Sequence, residues 1–414
     1  MIHFEEFVLP NGLRVIVHED HTIPLAAVNL LYNVGSRNES PDKTGFAHLF
    51  EHLMFGGSKN IQNYDAYLQK VGGENNAFTT PDITNYYISL PAINLETAFW
   101  LESDRMMGLS FDPTVLEVQR KVVIEEFKQR YLNQPYGDVW IKMRPLSYRI
   151  HPYRWSTIGK DISHIENATL KDVRNFFSSF YHPKNAILTV TGNITLEEVQ
   201  KLSEKWFGPI PSGRKPEGLL PVEPPQNDKR LLEVRADVPS DALYMAWHTC
   251  GRQDEDYHAT DLLSDILGRG KASQLYQGLI KEEKIFNTVH AYVTGSIDPG
   301  LFVIEGKVKE GIQLEDAEAS VLNLIENLKR GSIKKNELDK VKIQAETSLA
   351  FSEVELLNRA MNLAYFGNLG NPDLYNLEIE KINKVSMDKL SDIIDKKLIE
   401  NNLSVLYYRR QPEN

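Results

Sequence analysis

The sequence predicts an α+β fold in two homologous domains, each a mostly antiparallel sheet with helices packed on one face. Strand and helix patterns are interleaved irregularly, unlike the strict alternation of a parallel α/β fold. A proline-rich segment lies at the middle of the chain. The order of strands and helices before this segment recurs after it, which indicates an internal repeat.

The domain boundary follows from the length and from the segment GPIPSGRKPEGLLPVEPPQNDKR. A chain of 414 residues exceeds one ordinary core and suits two domains of about 200 residues each. Six of the 23 residues in this segment are proline, which excludes a helix or a central strand. We therefore predict one domain over residues 1–207, a linker over 208–230 and a second domain over 231–414.

The repeat is visible element by element. LRVIVHED and AAVNLLYNVGS resemble the strands of a hairpin, and the helix TGFAHLFEHLMF follows them; RLLEVRA, ALYMAWHTC and the helix YHATDLLSDILG have the same order in the second half. TNYYISLP precedes the helix NLETAFWLESDRMMG, as LFVIEGKV precedes QLEDAEASVLNLIENLKRG. Each half then closes with an amphipathic helix and an apolar strand.

Composition excludes several classes of function. The net charge of −11 disfavours nucleic acid as a partner, because phosphate binding requires clustered Lys and Arg. No apolar run reaches the roughly 18–20 residues of a membrane span, so we expect no membrane partner. The opening MIHFEEFVLPNG has neither the basic nor the apolar region of a secretory signal, which favours a cytoplasmic location. Cys250 is the single cysteine, so a disulfide framework and a Cys-rich zinc site are both excluded.

The main chemical signal is His48-Leu49-Phe50-Glu51-His52 within the helical run GFAHLFEHLMF. Residues four apart project from the same face of a helix, so both imidazoles can reach one ion. Zinc lowers the pKa of a bound water towards about 7, and a nearby carboxylate can then accept its proton. The alternative is an ordinary solvated helix face. The apolar flanks argue against it, because burying these polar groups without a partner costs several kcal/mol.

A third ligand is needed to complete such a site. VLEVQRKVVIEEFKQR is a second helical run with Glu125 and Glu126 after an apolar stretch. Spacing alone does not choose between the two, and one of them is expected to be a solvated surface acid.

These motifs together resemble the pitrilysin/insulinase family of metallopeptidases, the inverzincins, and in particular the group of 400–450-residue subunits like mitochondrial processing peptidase. The resemblance covers LPNGLRVIV, NVGSRNE, GFAHLFEHLMFGGS, VGGENNAFTTPDITNYY and RKVVIEE. It implies one zinc ion per chain, with His48, His52 and Glu126 as ligands and Glu51 as the catalytic base.

The chain departs from the family pattern beside the third ligand. The family commonly has another acid seven residues before that ligand, where this chain has Gln119. A group at this position would orient the metal site from behind the ligands. A neutral amide there alters that support unless Glu117 replaces it.

The stretch from Gly72 to Tyr87 predicts a hairpin or an edge strand. An exposed edge near a peptidase metal can bind an extended peptide by strand addition. The resemblance implies this substrate-binding role for Asn76, Ala77 and Phe78, whereas the bare sequence is equally compatible with an ordinary hairpin.

The second half lacks the metal ligands. Aligning the repeats places Thr260, Leu263 and Ser264 opposite the zinc motif and Ser348 near the place of Glu126. The family uses this half to complete a closed chamber around the peptide.

The second half also departs from the family at its substrate-holding pair. Active relatives often carry an Arg and a Tyr seven residues apart there, which hold the substrate backbone and the developing oxyanion. This chain has Ile280 and Asn287 in those places. We therefore expect a dimer, and hypothesise a heterodimer in which a related subunit without the zinc motif supplies the Arg/Tyr pair.

The resulting expectation is a zinc metalloendopeptidase that hydrolyses short or unfolded peptides inside a closed chamber. The alternative is a metal-binding but non-catalytic assembly subunit, inert without a related partner chain. The complete set of His48, Glu51, His52 and Glu126 favours the peptidase.

Overall fold

The structure is a computed structural model that describes residues 1–214 and 219–411, so residues 215–218 of the predicted linker lie outside the described chain. The strands are β1 (Glu5–Val8), β2 (Arg14–Glu19), β3 (Leu25–Tyr32), β4 (Glu74–Thr79), β5 (Thr84–Pro91), β6 (Ala186–Gly192), β7 (Arg230–Ala236), β8 (Ala242–His248), β9 (Phe286–Val293), β10 (Leu301–Val308) and β11 (Leu403–Arg410).

The α-helices alternate irregularly with these strands. They are α1 (Phe46–Leu53), α2 (Tyr64–Lys70), α3 (Leu95–Met107), α4 (Pro113–Phe127), α5 (Val139–Ser147), α6 (Ile162–Glu166), α7 (Leu170–Phe180), α8 (Leu196–Trp206), α9 (Tyr257–Gly268), α10 (Leu314–Lys329), α11 (Lys335–Ser352), α12 (Leu356–Asn368), α13 (Glu378–Lys384) and α14 (Met387–Lys397). The α+β class predicted from the sequence is confirmed.

Two compact units divide the chain, and each one includes a segment from the other half of the sequence. The first contains the described residues of 1–129, 155–221 and 350–377. The second contains the described residues of 130–154, 222–349 and 378–414. The predicted boundary at 208–230 follows chain order, whereas α12 belongs to the first unit and α5 to the second.

The two sheets share one strand order. The first is β1-β2-β6-β3-β5-β4 and the second is β7-β11-β8-β10-β9. Each sheet has a single parallel pair, β2 with β6 and β7 with β11, and its other neighbours are antiparallel. The second sheet therefore repeats the first without its β1 edge, as the sequence repeat predicts.

The predicted hairpins between the first two strands of each repeat are wrong. The last strand of each repeat lies between them, so β6 separates β2 from β3 and β11 separates β7 from β8. Every residue of β6 is buried, which is the pattern of a central strand covered on both faces. The run AILTV, which is apolar except for Thr189, therefore takes the centre of the sheet, where its burial is greatest.

Most helices of each half pack on one face of their sheet, and a single helix from the other half covers the opposite face. In the first unit, Tyr86 of β5 faces α1, where its hydroxyl lies 3.4 Å from the carbonyl of Phe50. On the opposite face, Ala27 of β3 packs against Leu356 and Ala360 of α12.

The second unit has the same two layers. Met245 and Ile304 belong to the cluster that includes α9, α10 and α14 residues. Ala246 and Val303 point the other way and pack with Val139 and Met143 of α5. No helix among the described residues is long and apolar enough to cross a bilayer.

We predict that Ala360→Leu destabilises the first unit, because Ala360 is fully buried against β3 and an inserted isobutyl group costs about 1–3 kcal/mol in a packed core. The thermal unfolding midpoint measures it. Ala350→Leu adds the same group at an exposed position and serves as the control. Equal midpoints for the two variants would contradict this packing of α12.

Candidate metal centre

Helix α1 presents two chemically different faces. Phe46, Ala47, Leu49, Phe50 and Leu53 are buried, whereas the side chains of His48 and His52 retain 13% and 24% of their exposure. The ring of Phe50 stacks 5.0 Å from that of Tyr181. Burial of the apolar stripe therefore fixes the rotation of the helix and points both imidazoles away from the core.

The start of α1 is held by a carboxyl group from outside the helix. The N-cap residue is Gly45, whose φ of +87° favours glycine. Glycine has no side chain that could cap the helix. The two carboxyl oxygens of Glu39 accept hydrogen bonds from the N–H groups of Gly45 at 2.9 Å and Ala47 at 2.8 Å. Burial raises the pKa of Glu39 to about 8, although the hydrogen bonds from Ala47 and Gly45 oppose the shift. Glu39 thus satisfies two buried N–H groups in the turn that precedes His48, which have no acceptor within the helix.

The imidazoles of α1 meet a carboxylate of α4. Nε2 of His48 lies 3.6 Å from Oε2 of Glu126, and Nε2 of His52 lies 3.3 Å from the same oxygen. The two imidazole rings stand edge to face with centroids 4.8 Å apart. The predicted His48, His52 and Glu126 are thus brought together, with one ligand atom from each within 4.8 Å of the others.

This donor set fits zinc. Ligand atoms at about 2.0–2.2 Å from a tetrahedral zinc ion stand about 3.3–3.5 Å from one another. The two nitrogen–oxygen separations are close to that range. Two imidazoles with one carboxylate also leave a fourth position open, which is the pattern of catalytic zinc sites.

The two acids of α4 point in different directions. Glu125 is 58% exposed and its carboxylate lies 2.7 Å from Nζ of Lys128. Glu126 is the acid that faces the histidines. Val123 and Phe127, three residues before and one after Glu126, are buried, so the apolar side of α4 sets the direction of Glu126.

The two α4 residues considered for orienting the third ligand, Gln119 and Glu117, place no acid beside Glu126. Gln119 is half-buried two turns earlier on α4. Glu117, the other residue considered for this role, lies 2.7 Å from Arg120 and 3.3 Å from Lys121. Glu117 is therefore bound in surface ion pairs, and the orienting role of Gln119 stays a prediction.

The predicted base, Glu51, contacts the neighbouring sheet. Its Oε2 accepts a hydrogen bond of 2.7 Å from Oγ1 of Thr79, the last residue of β4. The sequence interpretation gave Thr79 no role. It also missed Glu39, because the burial of this acid and its contact with α1 are visible only in the folded structure.

The predicted substrate-binding residues lie on an exposed edge. β4 is the outer strand of its sheet and pairs only with β5 within the described chain, Asn76 opposite Tyr87 and Ala77 opposite Tyr86. Asn76 and Phe78 are exposed, and Ala77 points to the other face. The N–H of Ala77 donates to Oδ1 of Asn76 at 2.8 Å, and an edge strand of this kind has further backbone groups outside the ladder that a peptide can join.

The second unit offers no comparable metal group within the described residues. Leu263 is buried in the core, and Ser264 donates to the carbonyl of Asp261. Ser348 accepts a hydrogen bond of 3.0 Å from Arg269. The positions opposite the zinc motif therefore serve packing and local hydrogen bonds.

We predict that Glu39→Ala lowers the thermal unfolding midpoint of the zinc-free protein and weakens zinc binding. The variant leaves the N–H groups of Gly45 and Ala47 without their acceptor, at about 1–3 kcal/mol for a buried donor. Glu39→Gln keeps one acceptor oxygen and should lie between wild type and Glu39→Ala. Differential scanning calorimetry and a competitive zinc titration measure both effects. Wild-type values for Glu39→Ala would show that α1 does not need this cap.

Comparison with known proteins identifies the family. The family model "Insulinase (Peptidase family M16)" matches residues 14–145, and "Peptidase M16 inactive domain" matches residues 167–345. The chain is 33% identical over 351 residues to "Zinc protease PqqE" of Helicobacter pylori, which covers 82% of this chain and 78% of that protein.

Two further comparisons agree. The chain is 23% identical over 365 residues to "Mitochondrial-processing peptidase subunit beta" of Saccharomyces cerevisiae, covering 83% of this chain and 77% of that protein. The crystal structure of a protease from Helicobacter pylori superposes with a TM-score of 0.92 at 28% identity, over all of both chains. This chain is therefore a member of peptidase family M16, the insulinase family, as the motif resemblance predicted.

Proposed function

We propose that this chain is a zinc metalloendopeptidase that hydrolyses peptide bonds in short or unfolded peptides. The observation that carries the proposal is the convergence of His48, His52 and Glu126, with Glu51 on the intervening turn of α1. Relatives named as zinc proteases support the reaction class. The closed chamber implied by the family resemblance is part of the proposal.

The residues of α1 and α4 would have two roles, metal binding and proton transfer. His48, His52 and Glu126 would hold the zinc ion. Bound zinc supplies positive charge that polarises the scissile carbonyl and makes water more acidic. Glu51 would accept a proton from the attacking water and pass it to the leaving amine, the usual part of a general base that then acts as an acid.

The substrate would lie along β4. Its unpaired edge can add a peptide strand through main-chain hydrogen bonds, and Asn76, Ala77 and Phe78 are at the centre of that edge. Recognition through the backbone favours extended peptides over folded proteins, because a folded segment has few free backbone groups.

We propose in addition that a second chain completes the substrate site. Asn287 donates a long hydrogen bond of 3.4 Å to the carbonyl of Val308, and Ile280 has no polar atom in its side chain. Asn287 can donate a hydrogen bond but has no positive charge, and Ile280 has no donor, so the two side chains together do not reproduce an Arg/Tyr pair at a developing oxyanion. One relative is named as a subunit, which supports a heterodimer with a related chain.

The alternative function is a non-catalytic assembly subunit that binds metal. Two observations favour this alternative. Ile280 and Asn287 stand where active relatives often have the Arg/Tyr pair, and residues 167–345 match a domain that is described as inactive. A chain of this kind would bind zinc and cut no peptide by itself.

We predict one zinc ion per wild-type chain and a large loss of zinc in Glu126→Gln, because an amide is a much weaker zinc ligand than a carboxylate. Mass spectrometry under non-denaturing conditions measures the stoichiometry. The matched control is Glu125→Gln, which removes the neighbouring acid and should keep the metal, since Glu125 pairs with Lys128. No zinc in the wild type, or equal loss in both variants, would overturn the assigned site.

We predict that Glu51→Gln keeps its zinc and lowers kcat for a quenched fluorogenic peptide by about 10²–10⁴-fold, the range of general base catalysis. Zinc content and turnover are measured on the same preparations. Wild-type turnover in Glu51→Gln would remove Glu51 from the mechanism. A zinc-loaded wild type that cuts no peptide, alone or mixed with related subunits, would favour the assembly subunit.

A further inference from the structure

The Glu51 carboxylate is held by a group from outside its own helix. Oγ1 of Thr79 donates a hydrogen bond of 2.7 Å to Oε2 of Glu51. A glutamate has three side-chain torsions and is costly to order in one rotamer. A general base must nevertheless stay within hydrogen-bond reach of the proton that it accepts. A fixed donor from a neighbouring element meets that requirement.

Thr79 is well suited to be that donor because its own position is fixed. It is β-branched, which restricts its χ1 angle, and its backbone pairs with Thr84 of β5. The turn that follows is closed by hydrogen bonds from the N–H of Thr80 to the carbonyl of Ile83 at 2.8 Å and from the N–H of Ile83 to Oγ1 of Thr80 at 3.0 Å.

The same turn is tied to a second segment. The N–H of Arg37 donates to the carbonyl of Pro81 at 2.9 Å, and the Arg37 guanidinium lies 3.0 Å from the Asp82 carboxylate, with both side chains almost buried. A Cβ at Gly35 would come within 2.4 Å of the carbonyl oxygens of Thr80 and Pro81. The backbone beside Thr79 therefore has little freedom to move.

The position of Thr79 on β4 links two parts of the proposed site. Side chains alternate along a strand, so Ala77 and Thr79 share the face that is opposite to Asn76 and Phe78. The strand whose edge would receive a peptide thus also carries the hydroxyl that contacts the base. Serine or threonine at this position supplies the donor, whereas valine has the same shape without it.

We propose that Thr79 is a positioning residue for catalysis: its hydroxyl holds the Glu51 carboxylate in the orientation from which it accepts a proton. The proposal rests on the function proposed above and adds one residue to it. Thr79 touches neither substrate nor metal in this role. It acts through Glu51 alone, so its loss should affect turnover more than substrate binding.

The test compares Thr79→Val with Thr79→Ser in the full-length, zinc-loaded chain, together with the partner subunit if activity requires one. We expect Thr79→Val to lower kcat about 10- to 100-fold, the effect of losing one hydrogen bond to a charged group, with KM within about twofold of wild type. Thr79→Ser should recover kcat to within a few-fold. Thr114→Val, which removes an exposed hydroxyl from α4, controls for the substitution itself.

Zinc content and crystal structures of the variants separate this proposal from the proposed function. We expect full zinc occupancy in all variants, and a rotated Glu51 carboxylate in Thr79→Val but not in Thr79→Ser. Wild-type kcat in Thr79→Val, or an unmoved carboxylate, would overturn the role of Thr79. If the wild type itself cuts no peptide, the proposed function fails, and the position of the carboxylate still decides whether Thr79 holds it.

Discussion

The proposed metal site depends on the close approach of two helices, which brings three donor atoms within 4.8 Å of one another. His48 and His52 are fixed relative to each other by one turn of α1, but Glu126 comes from α4, more than 70 residues later. The approach of the two helices is tight: a Cβ at Gly56, just after α1, would come within 2.4 Å of the Val115 side chain near the start of α4. A zinc ion would stabilise this approach further, because it binds donors from both helices.

A short segment before α1 connects the elements around the proposed base. Gly35 allows the close approach to the β4–β5 turn, Arg37 pairs with Asp82 in that turn, and Glu39 caps α1. The motif NVGSRNE therefore contacts the two elements that position Glu51. The first element is the start of α1, the helix that carries Glu51. The second is the β4–β5 turn, which follows Thr79, the donor to the Glu51 carboxylate.

The fold class and the placing of two histidines side by side on one helix were largely predictable because they depend on local patterns. Helical spacing places His48 and His52 on one face, and repeated patterns give two sheets of matching order. The position of β6 was not predictable in this way: a strand inserted between β2 and β3 depends on long-range pairing, and the five-residue connection from β2 to β3 imitates a hairpin. Local patterns also could not predict that α5 belongs to the second unit and α12 to the first.

The supporting residues of the site were missed for a related reason. Glu39 and Thr79 have ordinary residue types and no characteristic spacing from the zinc motif. Their roles depend on burial and on contacts between separate elements, such as the Glu39 cap of α1 and the hydrogen bond from Thr79 to Glu51. Likewise, spacing alone did not distinguish Glu125 from Glu126, and only the family resemblance indicated Glu126; the rotation of α4 exposes Glu125 and directs Glu126 toward the histidines.

The central claim is that one zinc ion is bound by these three residues. X-ray diffraction from crystals of the zinc-loaded chain, with anomalous data collected on both sides of the zinc absorption edge, tests it most directly. The account predicts one strong anomalous peak within about 2.0–2.2 Å of Nε2 of His48, Nε2 of His52 and a carboxylate oxygen of Glu126. A zinc peak at other residues, or none in crystals grown with excess zinc, would contradict it.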